Sequence, residues 1–307
     1  MIRIFRSKRF YHYINDISAV TGSLILIVML AGAIFAPIIA PQNPYDMGEL
    51  YLEDSLKPPI WMKGGITPFI LGTDSQGRDI LSTILYGCRT SFTVGFSVII
   101  IAGTIGVTVG LLAGFYRGLL DAVTMRLADA IFSFSTTLIA MLFLGVLKNH
   151  GVGTVILAII ITDWVRYART MRGSVLSVKE EDYISAARAV GASDLRIMFK
   201  HILSNAISPI LVIAAVDFGA AVMLEATLSF LGVGVPINEP SLGMMISIGK
   251  NYIYAGKWWL VVFPGAALVL IVFGVNLVAD WLREEINPKI MKGKVSEKKV
   301  EFIHFCL

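Results

Sequence analysis

Apolar residues are gathered into six long runs, and polar residues fill the segments between them. The runs are Ala19–Ala40, Phe92–Phe115, Ala128–Leu147, Val152–Val165, Ile207–Leu231 and Trp258–Leu282. An α-helix needs about 20 consecutive apolar residues to cross a bilayer. Five runs reach that length, whereas the fourth is shorter and has Asp163 near its end. The pattern predicts an all-α integral membrane protein with six transmembrane helices.

Composition and charge agree with residence in a membrane. The chain of 307 residues is 56% hydrophobic and 16% charged, and its mean hydropathy of +0.74 is too high for a soluble domain. Six spans would place 19 of the 26 Lys and Arg residues on the side of the N-terminus. The positive-inside rule makes that side cytoplasmic, so both termini are expected there. The net charge of +4 therefore reflects topology, and nothing indicates nucleic-acid binding.

These spans divide the chain into five parts. We expect a cytoplasmic N-terminus over 1–18, a first span over 19–40, an extracytoplasmic loop over 41–91, a five-helix core over 92–282 and a cytoplasmic tail over 283–307. The core includes a cytoplasmic loop over residues 166–206. The first run is interpreted as a retained span, because it is longer than the apolar part of a typical signal peptide.

The polar segment Glu180–Pro209 has the pattern of two short helices joined by a glycine. Ser177 and Glu180 have the S-x-x-E spacing of a capping box, and Gly191 can adopt the left-handed conformation that ends a helix. Small residues in the first helix leave a thin surface that another protein could approach closely. The second helix is expected to carry four apolar residues on one face, namely Leu195, Met198, Phe199 and Ile202. The pattern favours a docking element over a spacer.

The external loop ends in the segment Leu71–Gly95, where turn residues precede a helix start. Gly77 supplies turn chemistry, and Asp79 can cap a short helix whose apolar residues share one face. We expect this short helix to lie in the membrane interface ahead of the second span. Two roles stay open for the segment: contact with a substrate, or a structural loop that only positions the second span.

Glycines and carboxylates within the spans suggest close packing and a polar path. The second span has overlapping G-x-x-x-G spacings at Gly103, Gly106, Gly110 and Gly114, which permit close helix contact within this chain or with a second subunit. Asp217 lies near the middle of the fifth span, where a carboxylate is costly unless it faces a cavity or a partner. It is a candidate for the translocation path or for a structural polar contact. Glu225, nearer the outside, is a candidate for an outer gate.

Motifs for catalysis or metal binding are absent from the sequence. No G-x-x-x-x-G-K-[ST] loop is present to hold nucleotide phosphates. No H-E-x-x-H motif occurs, and His12, His150, His201 and His304 lack the spacing of metal ligands. We therefore expect no catalytic residue, no metal site and no cofactor bound by this chain.

Three stretches resemble ABC importer permeases, in particular the C-type membrane subunits of the dipeptide, oligopeptide and nickel transport family. YISAARAVGAS, residues 183–193, is similar to the cytoplasmic EAA loop of these permeases, although Ser185 replaces the usual Glu. LGTDSQGRDILS, residues 71–82, is similar to their LGTD-x-x-GRD-x-LS signature. EATLSFLGVG, residues 225–234, is similar to their E-A-x-L-S-F-L-G-x-G run.

The resemblance implies roles for particular residues. Those expected to couple the chain to an ATPase are Ser185, Ala186, Ala187, Gly191, Ala192, Ser193, Asp194 and Arg196. The extracytoplasmic motif contributes Asp74, Gly77, Arg78 and Asp79. Asp217 and Glu225 remain the candidates for the translocation path.

The resemblance also implies a type I ABC importer permease fold and transport of peptides across the cytoplasmic membrane. The implied partners are a second homologous permease, two cytoplasmic ATPase subunits that use ATP and Mg²⁺, an extracytoplasmic solute-binding protein and membrane lipid. Three alternatives stay open. The same architecture could import nickel or oligosaccharides, and the chain could instead be a polytopic membrane enzyme or an assembly scaffold.

Overall fold

A computed structural model of the chain describes residues 8–46, 48, 50–147 and 151–286, and within them every regular element is helical. The longer helices are α1 Lys8–Asn15, α2 Ile17–Ile34, α4 Ile80–Tyr116, α5 Gly118–Phe132, α6 Thr136–Val146, α7 Val152–Lys179, α8 Asp182–Ala189, α11 Ser208–Phe230, α12 Leu242–Gly249 and α13 Trp259–Ile286. Shorter α-helical turns are α3 Ala36–Ile39, α9 Asp194–Arg196 and α10 Ser204–Ala206. The first residues and most of the basic tail, both expected to be cytoplasmic, lie outside the described residues.

Four helices in the described part of the chain are long and apolar enough to cross a membrane: α2, α4, α11 and α13. The third apolar run forms α5 and α6, which meet at a bend of 90° and make a fifth span only if they are counted together. The fourth run is the apolar first half of α7, whose second half carries three arginines. The expected six spans are thus not confirmed by length and hydropathy. Four or five are found.

The second span is longer than its apolar run. We expected a separate interfacial helix after Asp79, but α4 runs without a break for 37 residues, roughly 55 Å at 1.5 Å per residue. Asp79 is its N-cap, as expected, and accepts a hydrogen bond from the Ser82 backbone N–H at 2.7 Å. Ile80 and Ile84 are buried in a cluster with Leu242 and do not form a membrane-facing surface. The prediction of a separate interfacial helix is therefore wrong.

The glycines of α4 pack against α7 within this chain. A Cβ atom added at Gly110 would lie 2.9 Å from the Cβ of Met171, and one added at Gly114 would lie 2.9 Å from the Cβ of Val175. Both distances are shorter than ordinary van der Waals contact, so a side chain there would push the helices apart. The G-x-x-x-G spacings thus serve a contact inside the chain, which places α7 at a fixed distance from α4.

Candidate functional site

The segment between α7 and α11 has the glycine-linked form expected of a docking element. Gly191 ends α8 with φ of +82°, the left-handed conformation that glycine adopts most easily. The Gly191 N–H donates to the Arg188 carbonyl at 2.9 Å, and the Ala192 N–H donates to the Ala187 carbonyl at 3.1 Å. The expected capping box does not form, because Ser177 lies inside α7 and the N-cap of α8 is Glu181.

A π-helical stretch, Ile197–Leu203, changes which residues of the second half are buried. Its wider turn places Ile197 and Ile202 on the same inner side, where both are buried with Met198. We predicted that Leu195, Met198, Phe199 and Ile202 share one apolar face. That prediction is wrong for two of them, since Leu195 is 62% exposed and Phe199 is 56% exposed.

Most of the residues assigned to ATPase coupling lie on the surface of the single chain. Ala187 and Ala192 are half-buried, and the exposed ones are Ser185, Ala186, Gly191, Ser193, Asp194 and Arg196. Val190, Leu195 and Phe199 add exposed apolar side chains to the same tip. We call this surface, residues 185–199, the docking tip. Buried Ile184, Ile197 and Ile202 pack this partly apolar surface against the rest of the chain.

The motif that we predicted to be extracytoplasmic forms a buried turn. Asp74 accepts hydrogen bonds from the Gln76 N–H at 2.8 Å and the Arg78 N–H at 3.0 Å, while Arg78 Nε donates to Asp74 Oδ2 at 2.7 Å. Arg78 also donates to the Ile237 carbonyl at 3.0 Å. Gly77 has φ of +78°, and a Cβ there would collide with the carbonyl oxygen of Tyr51.

These contacts favour the structural role for the motif. Asp74, Arg78 and Asp79 are all buried, and their hydrogen bonds join residues distant in the chain, including Gln42 and Ile237. Burial raises the pKa of the Asp79 carboxyl above its ordinary value, and the hydrogen bonds from Ser82 oppose that rise. The motif holds the neighbouring loops against the start of α4, and its charged groups are largely buried.

Three arginines spaced three residues apart on α7 each pair with an aspartate. Arg166 pairs with Asp217 of α11, Arg169 with Asp129 of α5, and Arg172 with Asp121 of α5. The last pair is bidentate, with Arg172 Nη2 2.7 Å from Asp121 Oδ2. From the sequence we expected these arginines to be charges of a cytoplasmic loop, and their partners were not predicted. Their even spacing on one helix was the available signal.

The two carboxylates assigned to the path are enclosed by the chain. Asp217 is 1% exposed beneath Arg166, so it acts as a polar contact between α7 and α11. Glu225 is fully buried, and its Oε1 accepts hydrogen bonds from Ser229 and Ser241, each at 2.8 Å. Glu225 therefore links α11 to the start of α12. Neither carboxylate faces open space in this conformation of the single chain.

The bend between α5 and α6 borders a pocket of about 230 Å³. Its lining consists of Ile131, Phe132, Phe134, Ser135, Thr136, Thr162, Asp163 and Arg166. Arg166, whose side chain is 40% exposed, reaches the surface here together with the exposed residues Ser135 and Thr136.

Sequence comparisons decide the family to which this arrangement belongs. The profile of the family described as "Binding-protein-dependent transport system inner membrane component" matches residues 106–292, more than half of the chain. The chain belongs to this family. A second profile, the "N-terminal TM domain of oligopeptide transport permease C", matches residues 13–59. As a member of the first family, the chain is a multi-pass membrane protein and a transport permease, in agreement with its long apolar helices.

Two curated relatives cover most of this permease. The di/tripeptide transport system permease protein DppC of Pseudomonas aeruginosa is 36% identical over 92% of each chain. The dipeptide transport system permease protein DppC of Haemophilus influenzae is 33% identical over 91% of this chain and 93% of its own. A solved structure of the MetNI methionine ABC transporter is 19% identical, with a TM-score of 0.49 over 66% of this chain and 94% of that one.

Proposed function

We propose that the chain is a membrane-spanning subunit of a binding-protein-dependent ABC importer that carries small peptides into the cell. The names of the two relatives, which match along nearly the whole chain, favour dipeptides and tripeptides over nickel or oligosaccharides. In this proposal the permease has the type I importer fold with six spans, of which α5 and α6 form one and α7 another. Both termini are cytoplasmic, a placement supported by the excess of Lys and Arg on that side.

The docking tip is the observation that carries the proposal. A polytopic enzyme or a scaffold does not need a rigid, partly apolar projection between two spans, whereas a subunit that receives force from an ATPase does. Leu195 and Phe199 offer the apolar contact, and Ala186 and Gly191 allow close approach of a partner backbone. Two cytoplasmic ATPase subunits, which bind ATP and Mg²⁺, would receive this tip and the equivalent tip of a second homologous permease.

Coupling then follows from the connection of the tip to the spans. The helix that carries the first part of the tip, α8, begins two residues after the end of α7, and short helical turns over residues 200–207 join the tip to α11. Displacement of the tip would therefore move α7 and α11 as rigid bodies. Closure of the ATPase pair would draw the two tips together and open the path toward the solute-binding protein outside. This chain contributes the docking tip and part of the solute path, and the partner ATPase subunits hydrolyse ATP.

Reconstitution of the whole complex tests the proposal. The chain, its partner permease and the ATPases are placed in liposomes with ATP inside, and the binding protein and labelled alanylalanine are added outside. We expect uptake that requires both ATP and the binding protein, and excess nickel or oligosaccharide should not compete. Uptake of nickel or an oligosaccharide in place of the dipeptide would favour the corresponding alternative and overturn the peptide assignment.

A further inference from the structure

The pocket at the α5–α6 bend is lined by a largely buried carboxylate, that of Asp163. Asp163 is 6% exposed and lines this pocket, and it forms no hydrogen bond or ion pair with any other described residue. The neighbouring hydroxyl of Thr162 donates to the Ile159 carbonyl at 2.9 Å and is thus already occupied. A carboxylate with little exposure and no hydrogen-bond partner is stabilised by a cationic group, and the pocket leaves room for one beside Asp163.

The arginines that follow on α7 each pair with an aspartate other than Asp163. Arg166, Arg169 and Arg172 continue the same three-residue spacing, and each has its own aspartate. Arg166 forms its ion pair with Asp217 and none with Asp163, although Arg166 and Asp163 both line the pocket. The pocket thus presents one negative and one positive group on the same wall, a pattern that suits a solute carrying both charges.

The size and chemistry of the pocket limit what it can hold. A volume of about 230 Å³ accommodates the end of a small solute. Among the described residues, no three His, Cys, Asp or Glu side chains lie together in a group that could hold a metal ion. A divalent metal in the pocket would therefore lack the ligands it requires. An ammonium group needs only one carboxylate and nearby hydroxyl oxygens, and Ser135 and Thr136 lie on the rim.

We propose that this pocket is a solute subsite of the permease, in which Asp163 accepts the α-ammonium group of a peptide in transit while the exposed side of Arg166 faces its carboxylate end. The proposal rests on the proposed function. It assigns selection for a free amino terminus to the membrane subunit itself, in addition to any selection by a binding protein.

Protection of a pocket cysteine from labelling tests the subsite without a binding protein. Ser135→Cys is made in a background in which Cys88 and Cys306 are replaced, and the assembled permease–ATPase complex is treated with a maleimide. Alanylalanine should slow the labelling, whereas N-acetyl-alanylalanine, which lacks the ammonium group, should not. Asp163→Asn should raise the alanylalanine concentration needed for protection about tenfold, equivalent to about 1.4 kcal/mol. Asp163→Glu should restore part of the protection, and Asp129→Asn, away from the pocket, should leave it unchanged.

Equal protection by the free and the acetylated dipeptide, or no protection by either, would overturn the subsite. That comparison uses the complex with Asp163 intact and decides the matter even if Asp163→Asn fails to assemble. Uptake measured in the same preparation keeps the two proposals apart. Dipeptide uptake without selective protection would support the proposed function and refute the subsite. Selective protection without dipeptide uptake would show that the pocket binds the dipeptide and would refute the proposed function.

Discussion

Gly191 gives the sharpest test of the docking tip, because its substitution strains the backbone without creating a clash. Its φ is +82°, yet no atom lies within 4 Å of the position that a Cβ would occupy. The cost of Gly191→Val is therefore conformational, about 1–2 kcal/mol for a residue with a Cβ in the left-handed region. One or two kcal/mol changes the ratio of two conformations by about 5- to 30-fold. The tip should then leave its native geometry in a large share of molecules.

Coupling efficiency measures this loss. In the reconstituted complex we would determine dipeptide uptake per ATP hydrolysed, together with the fraction of ATPase retained on the purified permease. Gly191→Val should lower one or both, while the amount of permease in the membrane stays normal. Gly191→Asn should retain most of the coupling, because asparagine tolerates the left-handed conformation better than other residues do.

Gly173 provides a matched control on the helix that leads to the tip. It is also exposed, has no atom within 4 Å of a Cβ position, and sits in the middle of α7 with a helical backbone. Gly173→Ala should be neutral or stabilise the helix by up to about 1 kcal/mol. Equal dipeptide uptake per ATP hydrolysed for Gly191→Val, Gly191→Asn and Gly173→Ala would show that the geometry of the tip does not transmit force to the spans.

Three further predictions follow from the same structure. A cysteine at Ser193 should react with an impermeant maleimide only from the cytoplasmic side and one at Lys63 only from outside; reaction of both from one side would refute the topology. Asp217→Asn removes a buried counter-charge, so the complex should lose about 1.5–3 kcal/mol of stability in thermal denaturation. Asp129→Asn, which breaks an exposed pair, should cost under about 1 kcal/mol, and equal losses would contradict the difference in burial. Gly110→Leu should separate α4 from α7 and destabilise the complex by about 1–3 kcal/mol, whereas an unchanged melting temperature would show that this contact is loose.

Local rules predicted the features that depend on a few neighbouring residues. Asp79 as a helix cap and Gly191 as a left-handed helix end follow from side-chain and backbone chemistry within one turn, and both are confirmed. The capping box at Ser177 failed because packing against α4 carries α7 two residues beyond it. Tertiary contact outweighed a local preference there.

Features that depend on distant residues could not be predicted in this way. Arg166 and Arg172 find partners 51 positions away, and Arg169 finds one 40 positions away, so no local pattern reveals the pairs. Asp163 is a similar case, because its lack of an ion pair among the described residues is evident only once the partners of Arg166, Arg169 and Arg172 are known. In the sequence, Asp163 stands out only as a charge near the end of the short fourth run, which does not reveal its place in the pocket.

The charge pairs of α7 also bear on how the chain enters the membrane during synthesis. The apolar half of α7 is short, and the arginines that follow it are costly to place in lipid until they are neutralised. Asp121 and Asp129 belong to α5, which is made before α7, so two of the three arginines can be paired as soon as they emerge. Arg166 must wait for Asp217, which is synthesised 51 residues later. We therefore expect α7 to settle into its final position only after α11 has been made, which makes α11 the element that completes insertion.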